Sequence, residues 1–119
     1  MSSLDLPRPD LSIFDTGSHD VERCGVIIVT NGTPSVVEVP NHSPDPRNAF
    51  VISKKDVPKE RVIGIVHTHL KEQQRTPSGF DIQYIPEGLI GMVYHPNTKS
   101  VTWYASTGIL HKELRKRHT

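Results

Sequence analysis

The sequence predicts an α/β fold in which helices flank a mixed central β-sheet. Two observations support this class. Near the N-terminus, two strand-like segments are joined by Asn31-Gly32, a dipeptide that is typical of tight β-hairpins. Further along, apolar strand-like segments alternate with helical ones, as they do in sheets that contain parallel strands. With 119 residues, the chain is long enough to form one compact domain with its own core.

The N-terminal half is predicted to contain a short helix and three strands. Residues 1–18 form an N-terminal segment, and residues 1–8 within it are expected to be extended or disordered because prolines oppose regular structure there. A short helix is expected over residues 10–15. Its inward-facing side chains would be Leu11, Ile13 and Phe14. The predicted strands cover residues 24–30, 35–39 and 49–53.

The C-terminal half is predicted to alternate strands with one helix. The predicted strands cover residues 62–69, 89–94 and 100–105. After the first of them, Thr76 is expected to cap a helix that has Pro77 at its first position and runs to about Tyr84. Residues 108–119 carry a cluster of lysine and arginine side chains. We expect a solvated, frayed helix or a basic tail there.

The composition excludes several classes of protein. No apolar stretch approaches the length of a membrane span and the N-terminus lacks the pattern of a signal peptide, so we expect a cytoplasmic protein. A net charge of +1 argues against nucleic acid as a partner. The single cysteine, Cys24, excludes an internal disulfide and the two-cysteine zinc site of cytidine deaminases. Cys24 is expected to be a small buried side chain, with a thiol close to a metal as the alternative.

The segment from His67 to Asp81 contains the side chains of a hydrolytic metal site. His67 and His69 end a predicted strand, and because alternate side chains of a strand share a face, both imidazoles point the same way. Ser78 and Asp81 are three residues apart in the predicted helix and also share a face. Two histidines and a carboxylate, with a fourth position open to water, are typical of catalytic zinc. The alternatives are solvated histidines, a helix-capping serine and an aspartate favoured by the helix dipole.

These residues resemble the JAMM motif of the JAB/MPN metallopeptidases, in which a distant Glu precedes His-x-His, a spacer and Ser-x-x-Asp. The segment from Glu22 to Gly25 resembles the one that supplies the distant Glu. Residues 41–52 resemble the JAB domains of lambda-like phage tail-tip assembly proteins. The resemblance covers residues 19–105 and implies a JAB/MPN domain over residues 19–107, with a cytidine deaminase-like fold.

The resemblance implies a zinc metallopeptidase or isopeptidase, and the phage branch implies a role in tail assembly. Zinc would be held by His67, His69 and Asp81. Glu22 would take a proton from the attacking water and pass it to the leaving amine, and Ser78 would donate a hydrogen bond to the developing oxyanion. The expected partner is a protein or peptide substrate, such as a tail protein or a ubiquitin-like protein.

Two features depart from the family pattern. The family usually has proline directly after the second histidine, where this chain has Leu70, and the spacer to Ser78 is one residue longer. Without the proline we expect a less rigid loop. These departures favour an alternative function, a JAB/MPN scaffold that binds tail proteins with little or no catalysis. A further alternative, a cellular peptidase that processes ubiquitin-like or sulfur-carrier proteins, would use the same residues.

Overall fold

The computed structural model describes residues 5–115, which form one six-stranded sheet. The strands are β1 (Cys24–Thr30), β2 (Thr33–Val39), β3 (Val62–Thr68), β4 (Ile90–His95), β5 (Ser100–Ala105) and β6 (Gly108–Leu114). Their order in the sheet is β2-β1-β3-β4-β5-β6, with β3 parallel to β4 and all other neighbours antiparallel. The predicted mixed sheet is therefore confirmed. The expected flanking helices are scant, because α1 (Gly79–Tyr84) is the one α-helix within residues 5–115.

The N-terminal strands form the predicted hairpin and then pair with the histidine strand. Asn31 and Gly32 have φ angles of 51° and 78°, the positive values that a two-residue hairpin needs. Strand β1 also runs antiparallel to β3, with Cys24 opposite His67. The backbone amide of Thr68 continues this pairing and donates to the carbonyl of Arg23 at 2.8 Å. The residues just before β1 therefore lie beside the C-terminal end of β3.

The main apolar core lies on one face of the sheet, and the N-terminal segment covers it. The indole N–H of Trp103 donates to the carbonyl of Pro7 at 2.9 Å, and the hydroxyl of Tyr94 donates to Asp15 at 2.6 Å. Ile13 was predicted to point inward, but its side chain is 44% exposed. Around the 3₁₀ turn Ser12–Phe14, the side chains of Leu11 and Phe14 pack into the core instead. The buried members of this core are Leu6, Leu11, Phe14, Ile27, Val66, Met92, Tyr94, Val101 and Trp103.

A smaller core lies on the opposite face, beneath α1. Its buried members are Ile85, Val93 and Tyr104, with Ile65, Ile82 and Leu89 packed against them. Gly91 lets the ring of Tyr104 approach the sheet closely, since a Cβ at position 91 would lie 2.2 Å from that ring. Ile65 and His67 are two residues apart in β3 and therefore share a face, so the imidazole of His67 lies on this second face.

The predicted third strand, residues 49–53, is absent from the sheet. Its backbone bonds to the preceding loop and not to a strand. The amide of Val51 donates to the side-chain oxygen of Asn41 at 3.1 Å, and its carbonyl accepts from the amide of His42 at 2.9 Å. Hydrogen bonds to the loop at Asn41 and His42 thus replace the strand pairing that the apolar sequence predicted.

Two other expectations about elements were wrong. The helix is capped by Ser78 and not by Thr76, because the Ser78 hydroxyl accepts from the amide of Asp81. Residues 108–114 of the expected basic tail form β6, which pairs antiparallel with β5 and is tied to the N-terminal segment by an ion pair between Glu113 and Arg8 at 3.2 Å. Residues 116–119 of that tail lie outside the described residues. No helix within residues 5–115 is both long and apolar enough to cross a membrane.

Candidate metal centre

Two imidazoles meet at the C-terminal end of β3. The Nε2 atoms of His67 and His69 are 3.1 Å apart. His67 is fully buried, and the ring of Phe50 stacks on its imidazole with centroids 4.3 Å apart. The Nδ1 atom of His69 lies 2.7 Å from the carbonyl oxygen of Gln74, which can only accept, so Nδ1 carries the proton. In the neutral imidazole the lone pair of His69 is therefore on Nε2, the atom that faces His67.

Asp81 brings a carboxylate to the same point from the first turn of α1. Its Oδ2 lies 3.3 Å from Nε2 of His67 and 3.6 Å from Nε2 of His69. The backbone amide of Ser78 donates to Oδ2 at 2.8 Å, while the Ser78 hydroxyl accepts from the amide of Asp81 at 3.1 Å. This reciprocal capping box holds the carboxylate in place.

The three atoms have the spacing of ligands around a zinc ion. Their separations are 3.1, 3.3 and 3.6 Å. Tetrahedral zinc with nitrogen and oxygen ligands at about 2.0–2.1 Å requires ligand atoms about 3.3 Å from one another. Two imidazoles and one carboxylate also leave a fourth position for water or substrate, as in catalytic zinc sites. The donor set of His67, His69 and Asp81 therefore fits zinc.

Glu22 stands next to the imidazoles, two residues before β1. One carboxylate oxygen of Glu22 and one nitrogen of each histidine lie within 4.8 Å of one another, so these three residues form a possible metal-binding group. The oxygen of Asp81 is closer to both imidazoles, which favours Asp81 as the third ligand and leaves Glu22 beside the site. The backbone of Glu22 is fixed on both sides. Its amide donates to the carbonyl of Pro46 at 2.7 Å, and its carbonyl accepts from the side-chain amide of Asn41 at 2.8 Å.

Burial and neighbouring charges shift the pKa values of these groups. Burial lowers the pKa of His67 and keeps its imidazole neutral. Burial opposes ionisation of Asp81, but the two imidazoles beside its carboxylate outweigh burial and hold the Asp81 pKa well below its usual range. A neutral imidazole and an ionised carboxylate are the forms that bind metal. Burial raises the pKa of Glu22 from 4.5 to about 7, a value suited to proton transfer at neutral pH.

An apolar pocket of about 480 Å³ opens beside Ser78 and Asp81. Two aromatic side chains of α1, Phe80 and Tyr84, stand at this pocket with their rings nearly parallel and 72% of each side chain exposed. The remaining lining residues include Phe50, Ile52, Ile65, Ile85 and Tyr104. The pocket can therefore receive an apolar group next to the polar cluster.

Cys24 is buried but does not join the group that Glu22 forms with the two histidines. Its sulfur lies 3.7 and 3.8 Å from the carbonyl oxygens of Val39 and Pro40, which can accept the thiol proton. Burial raises the pKa of Cys24 to about 12, so the thiol stays protonated. This agrees with the expectation of a small buried side chain.

Three contacts of the site were missed by reasoning from the sequence. They are the Phe50 ring on His67, the Gln74 carbonyl on His69 and the side chain of Gln73 on Glu22. Phe50 and Gln73 act across the fold, at sequence separations that no local pattern reveals. The carbonyl of Gln74 is a backbone group, which no side-chain motif can indicate.

Comparison with known proteins identifies the family. The family of prokaryotic homologs of the JAB domain matches residues 14–109, which is most of the chain. The chain therefore belongs to this JAB domain family. No curated protein matches the sequence.

Proposed function

We propose that this chain is a zinc-dependent metallopeptidase or isopeptidase that hydrolyses an amide bond with an activated water. The observation that carries the proposal is the triangle of His67, His69 and Asp81 ligand atoms, with a buried Glu22 carboxylate beside it. Membership of the JAB domain family supports it.

His67, His69 and Asp81 would hold the metal. When bound there, zinc would supply a Lewis acid and would lower the pKa of water from 15.7 towards about 7. Two of these side chains are already held in position by other groups of the chain. The Gln74 carbonyl fixes the tautomer of His69, and the capping box with Ser78 fixes the Asp81 carboxylate. Preformed ligands need little reorganisation on binding.

Glu22 would move the proton between the attacking water and the leaving amine. With a pKa of about 7, its carboxyl group can both accept and release a proton near neutral pH. The side chain is only 4% exposed, so bulk water does not compete for that proton. Glu22 is the base in this proposal because its position beside the imidazoles leaves the closer Asp81 oxygen as ligand.

Ser78 would donate a hydrogen bond from its hydroxyl group to the carbonyl oxygen of the scissile amide. The Ser78 oxygen already accepts from the amide of Asp81, and a hydroxyl that accepts one hydrogen bond can still donate its own. Ser78 also lines the apolar pocket. A donor at this place would stabilise negative charge as it develops on the substrate oxygen.

The pocket indicates the kind of substrate. Because Phe80, Tyr84 and Tyr104 line the pocket beside Ser78 and Asp81, we propose a peptide with a large apolar side chain close to the scissile bond. The biological setting stays a prediction from the sequence. A role in phage tail assembly predicts adjacent tail genes, whereas a cellular peptidase predicts a neighbouring gene for a ubiquitin-like protein.

Metal analysis and turnover together test the proposal. Purified protein is expected to contain about one zinc per chain, which a His67→Ala/His69→Ala variant loses. His42→Ala is the matched control. Nε2 of His42 lies 2.8 Å from the carboxylate of Asp56 and His42 is not a member of the cluster, so its loss should leave zinc in place. Folded wild-type protein that binds no zinc would refute the proposal.

Turnover is measured with a library of internally quenched fluorogenic peptides that vary in their apolar residues. Glu22→Gln is expected to keep zinc and abolish cleavage, because an amide cannot take up the proton. Zinc-loaded wild-type protein that cleaves neither the peptides nor ubiquitin-like fusions would support the scaffold function instead. Equal turnover by wild type and Glu22→Gln would remove Glu22 from its role.

A further inference from the structure

The side chain of Gln73 connects three segments of the chain at the edge of the metal centre. Gln73 lies in the loop between β3 and α1. Its Oε1 accepts from the backbone amide of Leu70 at 2.6 Å. Its Nε2 donates to Oε2 of Glu22 at 3.1 Å and to the backbone carbonyl of Arg47 at 3.0 Å. One amide group thus ties the loop after His69 to the segment before β1 and to the loop around residue 47.

The chemistry of these partners fixes the orientation of the amide. An N–H of Leu70 can only donate, while a carboxylate and a carbonyl can only accept. If the amide of Gln73 were rotated by 180°, its NH₂ would meet the Leu70 N–H and its oxygen would meet two acceptors. All three hydrogen bonds would be lost together. Nε2 of Gln73 therefore points at Glu22 because Oε1 is held by Leu70.

Leu70 takes part through its backbone. A proline at this position has no N–H, so it could not hold Oε1 of Gln73. The Leu70 side chain is buried, so the residue that carries this amide is itself held in the fold. The sequence suggested a loose loop because proline is missing here. Leucine at this position instead provides an N–H that donates a hydrogen bond within the loop.

Gln73 holds the side-chain carboxylate of Glu22, which the hydrogen bonds of the Glu22 backbone do not fix. The main chain of Glu22 is held at both its amide and its carbonyl, but its side chain can still rotate about three bonds. Within residues 5–115, the amide of Gln73 is the one hydrogen-bond donor to the Glu22 carboxylate. The direction of that carboxylate relative to the imidazoles therefore depends on Gln73.

We propose that Gln73 is a positioning residue that aims the carboxylate of Glu22 at the metal centre, with the amide of Leu70 setting the orientation of Gln73. This inference rests on the proposed function, in which Glu22 transfers the proton. Gln73 itself touches neither metal nor substrate in this scheme. A misplacement of a reacting group by about 1 Å can reduce turnover about 100-fold.

The first test replaces the amide and keeps the length of the side chain. Gln73→Met is expected to lower kcat about 10–100-fold while KM and zinc content stay within about twofold of wild type. Lys71→Met is the matched control, since Lys71 is exposed and lies in the same loop. A Gln73→Met variant that keeps wild-type kcat, or that changes KM alone, would overturn the assignment.

The second test does not depend on turnover. Crystal structures of the zinc-loaded wild type and Gln73→Met are compared, and the Glu22 carboxylate is expected to move by about 1 Å or more in the variant. Leu70→Pro should produce a similar displacement by a different route, and the Leu70→Pro/Gln73→Met pair should be less than additive in kcat. An unmoved Glu22 carboxylate in both variants would refute the inference. If the wild type has no turnover, the proposed function fails, and the carboxylate position still decides the role of Gln73.

Discussion

Replacing Glu22 with glutamine should stabilise the metal-free protein, and more so as the pH rises. The pKa of Glu22 is about 7 in the folded protein and 4.5 when burial is absent. A carboxyl group whose folded pKa is raised contributes stability while it stays protonated. That contribution is complete below pH 4.5 and is lost as the pH rises to 7. Glutamine keeps the shape of the protonated acid and does not titrate.

The magnitude follows from the same two values. Each tenfold change in the ionisation constant corresponds to about 1.36 kcal/mol, so ionising Glu22 in its buried place costs about 3 kcal/mol. At pH 5, Glu22 is already partly ionised in the unfolded chain but still protonated in the folded protein, so part of this difference is present there. The unfolding free energy of Glu22→Gln minus that of wild type is therefore expected to rise by about 2.5 kcal/mol between pH 5 and pH 8.

Urea denaturation of chelator-treated protein at pH 5, 6, 7 and 8 measures this difference. Comparing the two proteins at each pH removes the contribution of all other titrating groups that they share. Glu72→Gln is the control, since Glu72 forms a surface ion pair with Arg47 in which both side chains are more than half exposed. Such pairs contribute about 0–1 kcal/mol, so its pH dependence should stay small. A difference for Glu22→Gln that is flat from pH 5 to pH 8, or that falls, would refute the argument from burial.

Three further substitutions separate catalysis, packing and substrate binding. Ser78→Ala is expected to lower the unfolding free energy by about 1 kcal/mol, because the cap on Asp81 is lost. It should also lower kcat by about 100–1000-fold, and denaturation and kinetics measure the two effects separately. Gly91→Ala should lower the unfolding free energy by about 1–3 kcal/mol, because the new Cβ would lie 2.2 Å from the Tyr104 ring; an unchanged melting temperature would contradict this. Phe80→Ala should leave stability within about 0.5 kcal/mol, since the side chain is 72% exposed, yet raise KM about tenfold for peptides with large apolar residues.

The four residues of the His67–Asp81 segment that form the cluster could be picked out from the sequence because their spacing is local. The two histidines follow from the alternation along a strand, and Ser78 and Asp81 follow from one turn of helix. The structure brings all of them together, although the order of the sheet was not needed to find them. Glu22 came from family resemblance, and its place beside His69 follows from the antiparallel pairing of β1 with β3.

The parts that were predicted wrongly depend on particular hydrogen bonds that a hydrophobic pattern does not reveal. β6 was missed because Lys112 and Glu113 are typical of a solvated tail, although β6 pairs with its immediate neighbour in the chain, β5. The predicted strand at residues 49–53 is bonded to Asn41 and His42 instead of to a neighbouring strand. The hydrogen bond from the Leu70 amide to the side chain of Gln73 was also missed, because it forms only in the folded loop.

The N-terminal cover of the main core has a consequence for how the protein is made. Leu6, Leu11 and Phe14 leave the ribosome well before Val101 and Trp103, which belong to the same core. The hairpin of β1 and β2 can form early, since its contacts are local. The core cannot be completed until β5 has been made, so the interval before β5 appears is the one in which aggregation or chaperone binding would compete with folding.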